Sequence, residues 1–152
     1  MANEIRTKLD AWTNFSIAGT ASLNTANAVQ SAMISNTTLR PAALVDLKMF
    51  TSAAGATAGT VYELFLIRGD NAGNRDDNAV AGTAAITIEN SPLLGTLVVT
   101  NTGSKNFQRI FDTAALGKLG TEFGIAVRNS TGQTSNATQQ SPRYALYLPE
   151  IQ

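Results

Sequence analysis

The sequence predicts an all-β protein, an antiparallel β-sandwich or jelly roll of about eight strands with an N-terminal arm. Three observations support this prediction. Short runs of apolar and β-branched residues recur along the chain of 152 residues. Clusters of Gly, Asn, Ser and Thr, which favour turns, separate these runs. Helix patterns are almost absent, so the chain lacks the crossover helices that a parallel sheet requires.

The chain begins with a polar segment that lies outside the pattern of the predicted core. We expect residues 1–12 to form an N-terminal arm or a short helix, and residues 13–152 to form a single β-sandwich domain. No Pro-rich linker or shift in composition divides the second part. One domain therefore accounts for the chain after the arm.

Strand patterns follow one another after the arm, and the alternation is clearest at residues 43–50. Val45, Leu47 and Met49 fall on one face of this predicted strand. Asp46 and Lys48 fall on the other. The predicted strands are residues 15–18, 28–34, 43–50, 60–67, 84–88, 93–99, 107–111, 124–128 and 144–148.

Two of the remaining segments have a distinct pattern. Residues 60–67 are β-branched, aromatic and almost wholly apolar, which predicts a central strand covered on at least part of both faces. Residues 112–119 predict one or two helical turns, with Asp112 as the N-cap and Gly117 or Gly120 ending the helix.

The composition excludes several classes of function. The chain has 11 basic and 11 acidic residues and contains neither His nor Cys. Structural zinc, thiolate nucleophiles and imidazole bases are therefore excluded. The balanced and scattered charges predict no electrostatic binding to nucleic acid or to an anionic membrane, because both require clustered Lys and Arg. We expect no enzymatic activity and no cofactor, because catalysis would depend on carboxylates that no pattern brings together.

Two motifs near residue 70 each allow two interpretations. Arg68, Gly69 and Asp70 spell the tripeptide that some integrins bind, but a turn at the end of a strand also explains them. The loop of residues 70–78 holds three carboxylates and several amides, which are ligands that calcium prefers. It lacks the EF-hand spacing, so the alternative is a solvated hairpin loop.

Aromatic residues divide into strand positions and one isolated tryptophan. Tyr62, Tyr144 and Tyr147 lie within strand patterns, which favours packing in the core or across strands. Trp12 follows a polar stretch and is expected to be either a lid on the core or an anchor for a contact. We expect an interface in residues 1–12, with Ile5, Leu9 and Trp12 as its candidate residues.

The order of these segments resembles a group of small β-rich virion proteins of tailed bacteriophages, which act as head decoration, cement or minor structural proteins. The resemblance covers most of the chain as a pattern of strands and turns. It rests on residues 15–23, 32–38, 44–50, 52–59, 61–67, 92–99, 111–117 and 123–132.

The resemblance implies a capsid decoration (cement) protein that binds the outer surface of the head and stabilises the shell. Its partners would be the major capsid protein or other virion proteins, and it would form a homo-oligomer, with a trimer favoured. Its location would be the virion, assembled in the host cytoplasm. The alternatives are a tail, neck or baseplate component, or a receptor- or carbohydrate-binding β-sandwich module.

Overall fold

The computed structural model describes residues 5–18, 20, 23–50, 57–70, 72–77, 85–100, 106–135 and 142–151. These residues form ten strands and one 3₁₀ turn at Thr113–Leu116. The strands are β1 (Ile5–Leu9), β2 (Thr13–Asn14), β3 (Ala28–Gln30), β4 (Ile34–Ser35), β5 (Ala42–Phe50), β6 (Val61–Gly69), β7 (Leu93–Val98), β8 (Asn106–Asp112), β9 (Glu122–Ser130) and β10 (Arg143–Ile151).

The strands form two antiparallel sheets that pack as a β-sandwich, so the predicted all-β class is confirmed. Sheet 1 has the order β1-β10-β5-β8, and β2 also pairs with β10. Sheet 2 has the order β3-β9-β6-β7, and β4 also pairs with β9. Neighbours in space are mostly distant in sequence, so the sheets form only when remote parts of the chain meet.

Strand β5 supplies the centre of the core from sheet 1. Val45, Leu47 and Met49 are buried, as their alternation predicts. From sheet 2, Leu64 and Leu66 of β6 belong to the same cluster. The two central strands thus face each other across the sandwich.

Strand β6 is buried on both faces, which confirms the prediction of a central strand. Phe65 and Ile67 point away from the main core and form a second cluster with Ala126 of β9. Met33 and Ile86 are among the partly buried side chains that pack against this cluster. An apolar run without alternation fits this double coverage.

The prediction of a helical turn after β8 is confirmed in detail. The Asp112 side chain accepts a hydrogen bond of 2.9 Å from the Ala114 backbone N–H, as an N-cap does. Gly117 ends the turn with a φ of 92°, a conformation that favours glycine.

Three predicted strands differ from the structure. Residues 15–18 are not a strand, because Ile17 begins a turn in which its carbonyl accepts both the N–H and the hydroxyl of Thr20. Residues 28–34 are split into β3 and β4 around Ser31, whose hydroxyl accepts the Ile125 N–H in place of a backbone carbonyl. In the described part of residues 84–88, the only ladder contact is a bridge from Ile86 to Ala28.

The N-terminal segment joins the sandwich. Residues 5–9 form β1 at the edge of sheet 1, so the extended conformation is observed there and the short helix is not. Without β1, strand β10 would have a free edge. Pairing with β1 satisfies the backbone N–H and carbonyl groups of that edge, whereas a helix at residues 5–9 would leave them unpaired. β2 continues along the same edge, so the division expected at residue 12 does not separate the segment from the sheet.

We expect Leu66→Ala to lower the free energy of unfolding by roughly 2 to 5 kcal/mol, because the side chain is 0% exposed and its loss leaves a cavity. Leu64→Ala should lower the free energy of unfolding by a similar amount. Leu93→Ala is the matched control, since Leu93 is 47% exposed, and it should cost below about 1 kcal/mol. Denaturant unfolding measures all three, and equal costs for Leu66 and Leu93 would contradict the core assignment.

Candidate functional site

The three residues predicted for an interface all lie along the β1 and β2 side of β10. Leu9 pairs with Tyr147, and its side chain is 45% exposed. Trp12 is half-buried, and the Arg143 guanidinium lies 4.8 Å from the centre of its ring. Ile5 pairs with Ile151, but its side chain lies outside what the structure describes. No contact joins Leu9 to Trp12 among the described interactions.

The two ends of the described chain form a ribbon at this edge. The ladder between β10 and β5 ends where Tyr147 meets Ala42, whereas β1 follows β10 to Ile151. Residues 5–8 and 148–151 therefore form two paired strands with no third strand beside them in the described chain; we call this the terminal ribbon. A two-stranded ribbon is marginally stable alone, and its unpaired edges can accept another strand.

Exposed apolar side chains also lie on the two edge strands away from the ribbon. Leu93 and Val98 of β7 lie on the outer face of sheet 2, and Ile110 of β8 lies on the outer face of sheet 1, opposite Asp46. The two edge strands are held together, because the Arg109 side chain of β8 donates a hydrogen bond of 3.0 Å to the Thr96 carbonyl of β7. The sequence pattern predicts both strands, but it does not show that they are edge strands.

A loop that is held by the hydrogen bonds of Asn36 exposes another leucine, Leu39, beside a cleft. Asn36 is buried; its amide nitrogen donates to the carbonyls of Arg40 and Gly120, and its oxygen accepts the Arg40 N–H. Leu39 in this loop is 65% exposed and has a φ of 50°, which is unusual for leucine. Leu39 and Leu148 help to line a cleft of about 450 Å³.

The outer face of sheet 1 carries a polar cluster around Asp46. Alternation predicts that Asp46 faces away from the core, which is correct, yet its side chain is only 2% exposed. Arg143 covers it through an ion pair of 2.8 Å, and the Gln108 amide donates to both of its oxygens at 2.9 and 3.0 Å. These residues help to line a cleft of about 420 Å³. No sequence pattern joins them, because they come from three strands.

Tyr147 lies on the same face of sheet 1, further along β10. Its hydroxyl donates a hydrogen bond of 2.7 Å to Asp112. Burial, together with the hydrogen bond and negative charge of Asp112, raises the pKa of Tyr147 to about 12. Tyr62 and Tyr144 lie within or against the main core. The prediction that all three tyrosines pack within the fold is confirmed.

The residues of the integrin-type tripeptide, Arg68, Gly69 and Asp70, all make contacts within the fold. Arg68 forms an ion pair of 2.8 Å with Asp76 and donates to the Leu116 carbonyl. A side chain at Gly69 would place its Cβ 2.5 Å from Glu122 Oε1, so packing requires glycine there. Asp70 accepts hydrogen bonds from the backbone of residues 72 and 74. The geometry of a strand end accounts for all three residues.

The three carboxylates of residues 70–78 have separate roles and do not converge. Asp70 caps its own turn, and Asp76 pairs with Arg68. Asp77 accepts the backbone N–H groups of residues 89, 90 and 91; burial alone would raise its pKa, but these hydrogen bonds prevail and lower it. Residues 71 and 78 lie outside the described chain. Within the described part, no group of three or more metal-ligating side chains is placed to hold an ion.

The geometry defines a class, the two-sheet antiparallel β-sandwich with exposed apolar edge strands. Comparisons with known proteins place it in no family: no protein-family model matches the chain, and no curated protein matches it. Among the described residues, no helix has the length and apolar character needed to cross a membrane.

We expect the stability of the protein to fall as the pH rises from 10 to 12. The pKa of Tyr147 is raised from 10.0 to about 12 in the folded state, so its contribution is complete below pH 10 and is lost as the pH approaches 12. This loss is on the order of 2 kcal/mol. Denaturant unfolding at several pH values should show a shallower decline for Tyr147→Phe, and identical slopes would contradict the assignment.

Proposed function

We propose that the protein is a structural protein of a tailed-bacteriophage virion, namely a capsid decoration protein that binds the outer surface of the head. The order of strands and turns in its sequence resembles such proteins. The observation that carries the proposal is the terminal ribbon, since paired strands with unpaired edges are suited to docking on another protein.

Docking through the ribbon would proceed by addition of a strand. The outer edge of β1 presents backbone N–H and carbonyl groups that a strand of a capsid subunit can pair with. Leu9, exposed at the end of β1, would supply apolar contact area. Low surface charge supports this role, because few charges have to lose their water on contact.

Stabilisation of the shell would come from the large number of bound copies. Each copy would bridge neighbouring subunits, and many weak contacts acting together resist rupture more than one contact does. The exposed Leu93 and Val98 of β7 support the oligomeric part of the proposal, because they lie on a second surface that is separate from the ribbon. We assign this surface to contacts between copies, in a trimer, since a ring of copies would cover the apolar edge of β7.

The test is cosedimentation of the purified protein with heads that lack it. We expect saturable binding of the native protein, with a stoichiometry related to capsid symmetry. Leu9→Thr should weaken this binding at least about tenfold, which corresponds to about 1.4 kcal/mol. Ile110→Thr is the matched control, because Ile110 is 52% exposed in an edge strand, as Leu9 is 45% exposed, and lies outside both assigned surfaces.

Native mass spectrometry separates the two surfaces. Val98→Thr should reduce the oligomer while each subunit still binds heads, and Leu9→Thr should leave the oligomer intact. The reverse result would exchange the two assigned surfaces. Absence of binding to heads by the native protein would overturn the decoration proposal.

A further inference from the structure

We propose that the cleft on the outer face of sheet 1 is a binding site for a small acidic saccharide, held through its carboxylate. This site does not depend on docking of the terminal ribbon. The cleft, which we call the sheet-1 cleft, has a volume of about 420 Å³. The described residues that line it are Asn14, Phe15, Asp46, Lys48, Gln108, Pro142 and Arg143.

The charge that the cleft presents to a ligand is positive. The described residues that line it include two cations, Lys48 and Arg143, and one carboxylate, Asp46. The Asp46 side chain is 2% exposed and is occupied by Arg143 and Gln108, whereas the Arg143 side chain is 44% exposed. Lys48 forms no ion pair in the described chain. A ligand therefore meets the donors of both cations while the acceptor is hidden, which favours an anion.

Arg143 is held from two sides, as a prepared anion site requires. Asp46 accepts its Nε–H at 2.8 Å, and the Trp12 ring lies 4.8 Å from the carbon at the centre of the guanidinium. The ion pair uses Nε; among the described contacts the two terminal nitrogens donate to no partner, so they are placed to donate in parallel to the oxygens of a carboxylate. Fixing the guanidinium in advance lowers the entropy lost on binding.

The size and the remaining lining of the cleft favour a sugar over a bare carboxylate. A volume of about 420 Å³ falls in the range typical of sites for small organic ligands. The Asn14 amide and the amide oxygen of Gln108 offer groups that hydrogen-bond to hydroxyls. Phe15, which is half-buried, adds apolar surface for the C–H groups of a sugar ring. This mixture matches a ring that carries several hydroxyls and one acid.

Trp12 provides the measurement, because it is the only tryptophan in the chain and contacts Arg143. We would titrate the full-length protein with D-glucuronate and N-acetylneuraminate and follow tryptophan fluorescence, with saturation-transfer NMR as a second readout. The controls are D-glucose for the uncharged ring, acetate for the bare acid, and a glutamate-rich peptide for an acidic protein segment.

Lys48→Gln removes one cation of the cleft and should weaken binding of the acidic sugar roughly tenfold. Lys118→Gln is the matched control, because Lys118 is an exposed lysine that lines the other cleft, and it should leave binding unchanged. Raising the salt concentration should weaken binding by the native protein, and this measurement remains decisive if Lys48→Gln does not fold.

Each outcome supports or overturns the site. Saturable binding of either acidic sugar that is weakened by Lys48→Gln and by salt supports it. If glucose binds as tightly as the acidic sugars, the negative charge does not contribute to recognition. If acetate binds as tightly as the acidic sugars, the sugar ring does not contribute. Tighter binding of the acidic peptide would assign the cleft to a protein partner. Absence of binding by either acidic sugar overturns the proposal.

Discussion

The packing of β5 against β6 is the constraint on which the rest of the structure depends. These strands are central in their sheets, and the side chains of Leu47 and Leu66 meet in one cluster between them. β6 is buried on its other face as well, where Phe65 and Ile67 pack with Ala126 of β9. Its side chains therefore join the core between the sheets to a second apolar cluster on the outer face of sheet 2.

Burial of the two inner strands leaves the edge strands as the open positions of the sandwich. A sheet that remains open must cover, charge or pair its edge strands. Here β1 ends one side of sheet 1, and β7 and β8 end the two sheets on the other side, with Leu9, Val98 and Ile110 exposed. The same open architecture thus leaves edge strands at two separate places, which are the two surfaces of the proposed assembly.

The outer face of sheet 1 shows how a chain with few charges uses them. Three of its charged or polar side chains, Asp46, Arg143 and Gln108, lie together on three adjacent strands. Covering Asp46 stabilises the buried carboxylate and also holds Arg143 in position. The same ion pair therefore stabilises the sheet and, in the proposed saccharide site, would position Arg143.

The sequence by itself determined the class of the fold, the two central strands and the capped turn at Asp112. These features depend on local alternation and on the hydrogen bonds of neighbouring residues, which a linear pattern records. Only the tertiary structure decided the pairing of β1 with β10 and the meeting of Asp46 with Arg143. Such contacts join residues about a hundred or more positions apart, and no periodicity in one strand specifies which remote strand becomes its neighbour.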